Sequence, residues 1–125
     1  MKKLIFSIAF VTSVFQGFSQ QAAKGKAVYA RTCVACHQAT GAGIPGAFPP
    51  LAKSDYLNKD LNRAIKQVIK GSNGPIVVNG VKFNGAMPPQ ALNDKDIADV
   101  LTYVYSSWGN NKSVVTPAMV KAQRK

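Results

Sequence analysis

The chain of 125 residues is long enough for one domain and too short for two of ordinary size. Its 16 lysines and arginines against five aspartates and no glutamate give a formal net charge of +11, which favours acidic partners. Because the basic residues are dispersed and not interleaved with aromatic side chains, the composition argues against nucleic-acid binding.

The N-terminus has the features of an export signal. Met1-Lys2-Lys3 is positively charged, residues 4–15 are mostly apolar, and Gly17-Phe18-Ser19 offers a small-x-small cleavage site. We therefore expect a signal peptide over residues 1–19 and a periplasmic domain over residues 20–125 with a charge of about +9. The apolar run is shorter than the ~20 residues of a membrane helix, so we expect no stable membrane insertion after cleavage. An uncleaved anchor is the alternative.

A first helix is predicted from about Gln21 to Cys33, because alanine and lysine, which are good helix formers, dominate this segment. Alanines 23, 27 and 30 share one of its faces. Gly25 is the exception, since glycine lowers helix propensity. It suggests that another backbone approaches closely at that point.

The five residues Cys33-Val34-Ala35-Cys36-His37 follow, a Cys-x-x-Cys-His segment that is the attachment motif of c-type haem. Two thiols at this spacing can bond to the two vinyl groups of one porphyrin, and the next residue can reach the iron. We therefore predict one haem c attached to Cys33 and Cys36, with His37 as an axial ligand. A disulfide is the competing interpretation for an exported chain, and thioredoxin-like thiol chemistry, which needs a βαβ context, is another.

The rest of the chain alternates loops with regular elements. Residues 38–50 are rich in Gly, Pro and Ala and should be irregular, wrapping a face of the haem. Asn79-Gly80 between two β-prone runs predicts a hairpin, and the prolines at 88 and 89 exclude a helix there. The predicted helices run from Leu61 to Lys70 after the cap Asp60 and before Gly71, from the cap Asn93 to Gly109, and over a short segment opened by Thr116-Pro117.

The candidates for a second axial ligand are reduced by elimination. His37 is the only histidine, so a second imidazole is excluded, and Met1 is expected to leave with the signal. Met87 lies in a proline-stiffened loop fifty residues after His37, whereas Met119 lies in the basic terminal helix. We predict Met87 as the ligand. A Met opposite His raises the reduction potential relative to bis-His ligation.

These features resemble a class I c-type cytochrome over essentially the whole length after the signal. Phe48-Pro49-Pro50-Leu51, the hairpin from Gly74 and Met87-Pro88-Pro89 are similar to a bacterial subgroup of periplasmic carriers and of cytochrome modules of alcohol dehydrogenases and copper nitrite reductases. The resemblance implies an all-α, mainly helical cytochrome c fold around one covalent haem, with a short β-hairpin before the Met loop.

The resemblance also implies roles for individual residues. A prolyl carbonyl, best matched by Pro49 with Pro50 as the alternative, should accept a hydrogen bond from Nδ1 of His37. Gly25 and Tyr29 should cross the last main helix near Val100 and Tyr103.

The predicted function is that of a periplasmic one-electron carrier and not of an enzyme, because no catalytic constellation of side chains is present. Partners would be redox proteins with acidic docking surfaces, such as a dehydrogenase, a terminal oxidase or a nitrite reductase. Two alternatives remain open. The chain could be an electron-transfer subunit of a larger oxidoreductase, or a peroxidase-like or gas-binding haem protein if Met87 is not bound to the iron.

Overall fold

A computed structural model describes the backbone of residues 5–125 and the side chains from Gln16 onward. In this part of the chain the helices are α1 (Ile5–Thr32), α2 (Val34–His37), α3 (Asp55–Lys59), α4 (Leu61–Lys70), α5 (Asp94–Ser106) and α6 (Pro117–Ala122). The strands are β1 (Ser72–Asn73), β2 (Ile76–Val78), β3 (Val81–Phe83) and β4 (Ala86–Met87). The predicted mainly helical fold with a short hairpin is confirmed.

The first helix begins much earlier than expected. We predicted a start near Gln21, but α1 is continuous from Ile5 and ends at Thr32. The charged start of the predicted signal peptide lies outside the described residues, as do the side chains of its apolar run. No helix in the described part is both long enough and apolar enough to cross a membrane.

Helices α1 and α5 cross at close range, as expected from the position of Gly25 in the sequence. A Cβ atom on Gly25 would lie 2.0 Å from the carbonyl oxygen of Asp99 and 2.7 Å from Cβ of Tyr103. Only a residue without a side chain allows this approach. Tyr29, one turn further on, packs against Tyr103 with their ring centroids 5.6 Å apart. The alanine face of α1 (residues 23, 27 and 30) is exposed.

The boundaries of α4 and α5 follow from local capping. The side chain of Asp60 accepts the backbone N–H of Arg63 at the start of α4, and that of Asn93 accepts the N–H of Asp96 at the start of α5. Helix α4 matches the prediction at both ends. Helix α5 ends at Ser106, three residues before Gly109.

Two small antiparallel pairs of strands connect α4 to α5. The predicted hairpin pairs β2 with β3 around Asn79-Gly80, and both turn residues have positive φ, at 50° and 79°. Strands β1 and β4, which the sequence did not predict, bring Ser72 opposite Met87. This second pairing fixes the backbone of the Met loop to the end of α4.

The hydrophobic core is centred on α5. Ile97, Ala98 and Val104 are almost fully buried there, together with Tyr105, whose hydroxyl donates to the carbonyl of Leu57 at 2.9 Å. The same helix therefore packs on α1 on one side and faces α3 and α4 on the other.

Candidate functional site

The helical turn α2 groups three chemically distinctive side chains. The N–H of His37 donates to the carbonyl of Cys33 at 2.9 Å, which closes one turn. Residues at i, i+3 and i+4 of a helical turn share a face. Cys33, Cys36 and His37 therefore point to the same side, into a cavity of about 320 Å³.

The cavity is lined mainly by apolar side chains from distant parts of the chain. Met87 of β4 reaches it from the segment that lies fifty residues after His37. The apolar residues of the remaining lining include Phe48, Pro49, Pro50, Leu51, Val68, Val78, Phe83, Leu101 and Val104. An apolar cavity with a few convergent donor atoms is typical of a site for a large organic cofactor.

The ring of His37 is oriented by the loop that follows it. Its Nδ1 lies 3.0 Å from the carbonyl oxygen of Pro49, the better of the two prolyl matches. With Nδ1–H donating to this carbonyl, the lone pair of Nε2 is free for a metal. Burial lowers the pKa of His37, although the Pro49 carbonyl acts in the opposite direction. The neutral imidazole, which is the metal-binding form, is thereby favoured.

Gly43 explains why the loop can bring Pro49 to this position. Its φ is +66°, and a Cβ atom there would lie 2.3 Å from the carbonyl oxygen of Phe48 and 2.7 Å from that of Pro49. The loop therefore folds tightly back on itself beneath the imidazole. The backbone N–H of Gly43 also donates to the carbonyl of His37 at 3.0 Å.

The thiol of Cys33 lies in a weakly polar environment. Burial raises its pKa, with Cys36 adding to the effect and a hydrogen bond from Thr32 opposing it. A thiol of raised pKa is a poor nucleophile and redox catalyst at neutral pH. This disfavours the thioredoxin-like interpretation of the Cys-x-x-Cys segment.

The two candidate methionines differ in position. Met87 lines the cavity, whereas Met119 packs at the edge of the hydrophobic core and is not among the lining residues. The Met87 backbone is held both by its strand pairing and by Gly71, whose Cβ atom would lie only 2.4 Å from the Met87 carbonyl oxygen. The structure therefore brings His37 and Met87 to one cavity and leaves Met119 apart.

Among the aromatic residues, Tyr56 lines the cavity, whereas Tyr105 and Trp108 do not. Tyr56 is held in place by polar partners that the sequence did not reveal. Gln67 Nε2 donates to its hydroxyl at 3.0 Å, and the guanidinium of Arg63 lies 3.6 Å above its ring centroid. The only indication of these contacts in the sequence was the spacing of Arg63 and Gln67, which places both residues on one face of α4.

This donor set fits a haem attached through two thioethers. The two thiols, one free imidazole nitrogen and one thioether sulfur belong to residues that line a single, mainly apolar cavity. A haem held there would be shielded from water by the lining residues. Tyr56 and Gln67 are among the few polar residues in this mainly apolar wall.

The comparisons with known proteins agree with this chemistry. The family model for cytochrome c matches residues 22–108. Cytochrome c-552 of Thermus thermophilus is 43% identical over 103 residues, covering 78% of this chain and 69% of that protein. Cytochrome c6 of Picosynechococcus sp. is 33% identical over 127 residues, which cover 90% of this chain and 99% of that protein.

A third similar protein is much longer than this chain. The cytochrome c subunit of the quinone alcohol dehydrogenase of Gluconobacter oxydans is 32% identical over 89 residues, which are 70% of this chain and 19% of that subunit. The match to the family model includes the haem-attachment motif and covers more than half of the chain. This protein belongs to the cytochrome c family, whose members transfer electrons through covalently bound haem c.

Proposed function

We propose that this protein is a one-electron carrier in which His37 and Met87 are the two axial ligands of the haem iron. The observation that carries the proposal is that both side chains line the cavity into which Cys33 and Cys36 point. In the described part of the chain no other histidine exists, and the remaining methionine lies outside that cavity.

The surroundings of these ligands suit electron transfer. When bound, haem supplies a one-electron couple between Fe(III) and Fe(II). The Pro49 carbonyl holds the His37 ring and increases its donor strength, and the strand pairing of Met87 holds the weaker thioether donor in place. If His37 and Met87 both bound the iron, they would leave no position on it for a substrate, which disfavours the peroxidase-like and gas-binding alternatives.

We further propose that the carrier is exported to the periplasm and that residues 1–19 are its signal peptide. The support is the charged start, apolar run and small-x-small site at the N-terminus. Attachment of the cofactor by two covalent bonds also suits a compartment in which a lost haem would diffuse away.

The partner is proposed to be a redox protein with an acidic docking surface, because the chain carries a large positive charge. Relatives that serve as cytochrome c subunits of quinone alcohol dehydrogenase and of gluconate 2-dehydrogenase favour a dehydrogenase as the electron donor. They also support the second candidate, a fixed subunit of such an enzyme. Purification from the native host without crosslinking distinguishes the two, since a fixed subunit stays with its enzyme.

The ligand assignment is tested by comparing two methionine variants of the haem-loaded protein. Met87→Ala should lower the reduction potential by on the order of 100 mV, within the roughly 0.8 V that axial ligands span, and should allow carbon monoxide to bind. Met119→Ala is the matched control and should change neither property. Carbon monoxide binding by the unmodified protein would contradict Met87 ligation and favour an enzyme or sensor.

A further inference from the structure

The residue that follows His37 has a strained backbone conformation. Gln38, at the end of α2, has a φ of 64° and a ψ of 161°. Almost only glycine occupies this region of backbone space, because a Cβ atom is strained there. Another residue stays in it only when contacts with the surrounding structure hold it. Gln38 is therefore held in an unfavourable conformation directly beside the proposed iron ligand.

Gln38 lies where the chain turns from α2 into the loop that supports His37. The carbonyl of Gln38 accepts the N–H of Gly41 at 3.1 Å. The carbonyl of Gly41 accepts the N–H of Leu51 at 2.7 Å, which joins the start of the loop to its end. Leu51 lies two residues after Pro49, whose carbonyl oxygen is 3.0 Å from Nδ1 of His37. Through these two backbone hydrogen bonds, the position of the Pro49 carbonyl depends on the conformation of Gln38.

A buried tyrosine of α1 holds the same carbonyl of Gln38. The hydroxyl of Tyr29, a residue that is only 3% exposed, donates to this carbonyl at 2.7 Å. The ring of Tyr29 packs against those of Tyr103 and Trp108, whose centroids lie 5.6 and 5.3 Å from its own. We call these three residues the aromatic cluster. Its rings lie outside the lining of the haem cavity, so Tyr29 can act on the haem site only through the chain that it holds.

The aromatic cluster also supports the loop at Gly41. A Cβ atom on Gly41 would lie 2.5 Å from the ring of Trp108, so the ring packs directly against the loop backbone. Trp108 itself has a φ of 51°, a conformation that bulky residues rarely adopt. Two residues in unfavourable conformations, Gln38 and Trp108, thus meet the same loop. Such strain persists where the surrounding structure requires one particular backbone geometry, and here that geometry leads to His37.

We propose that Tyr29 is a positioning residue for His37. By holding the Gln38 carbonyl, the Tyr29 hydroxyl keeps the loop in the conformation in which the Pro49 carbonyl meets Nδ1–H of His37. That hydrogen bond orients the imidazole and increases its donor strength towards a metal. Tyr29 therefore adjusts the reduction potential from outside the cavity. This inference rests on the proposed binding of iron by His37.

The test is redox titration of the haem-loaded Tyr29→Phe variant, which loses the hydroxyl and keeps the ring. A weaker bond between His37 and Pro49 makes the imidazole a poorer donor to Fe(III), so the reduction potential should rise. Loss of about half the net value of a hydrogen bond lowers the ratio of Fe(III) to Fe(II) at a fixed electrode potential about threefold, a rise of about 30 mV. Tyr103→Phe is the matched control, because Tyr103 joins the aromatic cluster through its ring. It should leave the potential unchanged.

A second background tests whether the strain at Gln38 carries the effect. Glycine adopts this backbone conformation without strain, so in Gln38→Gly the loop no longer depends on the tyrosine hydroxyl. In that background Tyr29→Phe should change the ratio of Fe(III) to Fe(II) by less than about 1.5-fold. An equal shift in both backgrounds would overturn the proposal. So would an unchanged potential in Tyr29→Phe alone, even with a lowered Tm, since a purely structural role destabilises both redox states equally.

Proton NMR of the unmodified ferric protein separates this inference from the ligand assignment on which it rests. Ring protons of His37 that are strongly shifted by the paramagnetic iron would support ligation, and the titrations then test the role of Tyr29 alone. Unshifted ring protons would show that His37 does not bind the iron. The ligand assignment would then fail, and the positioning role of Tyr29 would fail with it.

Discussion

The crossing of α1 and α5 at Gly25 provides the sharpest test of the packing. A Cβ atom there would have to move from 2.0 Å to at least 3.0 Å from the Asp99 carbonyl oxygen, so the two helices must separate by about 1 Å. Because that oxygen belongs to a helix backbone, no side-chain rotation can relieve the contact. The separation would also loosen the packing of Tyr29 against Tyr103.

The expected cost follows from two opposing terms. Overpacking a well-filled interior costs about 1–3 kcal/mol, while replacing a helical glycine by alanine returns up to about 1 kcal/mol of helix propensity. Gly25→Ala should therefore lower the free energy of unfolding by about 1–2 kcal/mol, and the bulkier Gly25→Val by about 3 kcal/mol or more. For a domain of this size the loss in Gly25→Ala corresponds to a Tm decrease of roughly 5–15 °C, and the loss in Gly25→Val to a decrease of at least about 15 °C.

The assay is thermal unfolding of the haem-loaded protein, followed by far-ultraviolet circular dichroism. Ala27→Val is the matched control, because Ala27 is exposed on the same helix and reports only the propensity cost of valine. It should lower the Tm by less than about 5 °C. A Tm for Gly25→Val as high as that of Ala27→Val would refute the close crossing.

Two further predictions concern buried polar groups. Asn110→Ala should lower the free energy of unfolding, measured by urea titration, by about 2–4 kcal/mol, because the buried amide of Asn110 donates to two backbone carbonyls at 2.9 Å each. The control Asn62→Ala, at an exposed position, should lower it by less than about 1 kcal/mol. Burial raises the pKa of Tyr105 to about 12, so its stabilisation is complete below about pH 10 and declines as the pH rises towards 12. Tyr105→Phe should flatten this decline in unfolding curves measured across that range, and an unchanged slope would contradict the assignment.

The parts of the fold that the sequence predicted well are set by neighbouring residues. Helix α4 begins after an aspartate cap and ends at a glycine with φ of +74°, and both signals are visible in the sequence. The Asn-Gly turn likewise determines its own hairpin. In contrast, the pairing of β1 with β4 joins residues thirteen and fifteen apart in the chain through only two positions per strand, which leaves no periodic pattern to detect. The start of α1 was missed because an export signal and a helix share the same apolar composition.

The residues of the candidate site also divide into those that the local sequence predicts and those that it does not. The cysteines and His37 form one local motif, and Met87 was predicted as the second ligand by elimination among three methionines. The position of Pro49 came from resemblance, since nothing in its own sequence context aims a carbonyl at an imidazole. The contacts of Tyr56 with Arg63 and Gln67 depend on how α3 and α4 pack, and propensity and spacing along the chain do not report such packing.

The use of all five aspartates has a consequence for how the surface charge of this protein can vary. Each carboxylate either holds a basic side chain or accepts a backbone N–H at the start of a helix or in a turn. Replacing any of them to raise the net charge would weaken a helix end, a turn, a contact between segments or, for Asp99, the ion pair with Lys95 within α5. The exposed lysines carry few such duties, so changes among them alter charge at little structural cost. The electrostatic character of the molecule is therefore adjustable almost entirely through its lysines, independently of the framework that holds the haem.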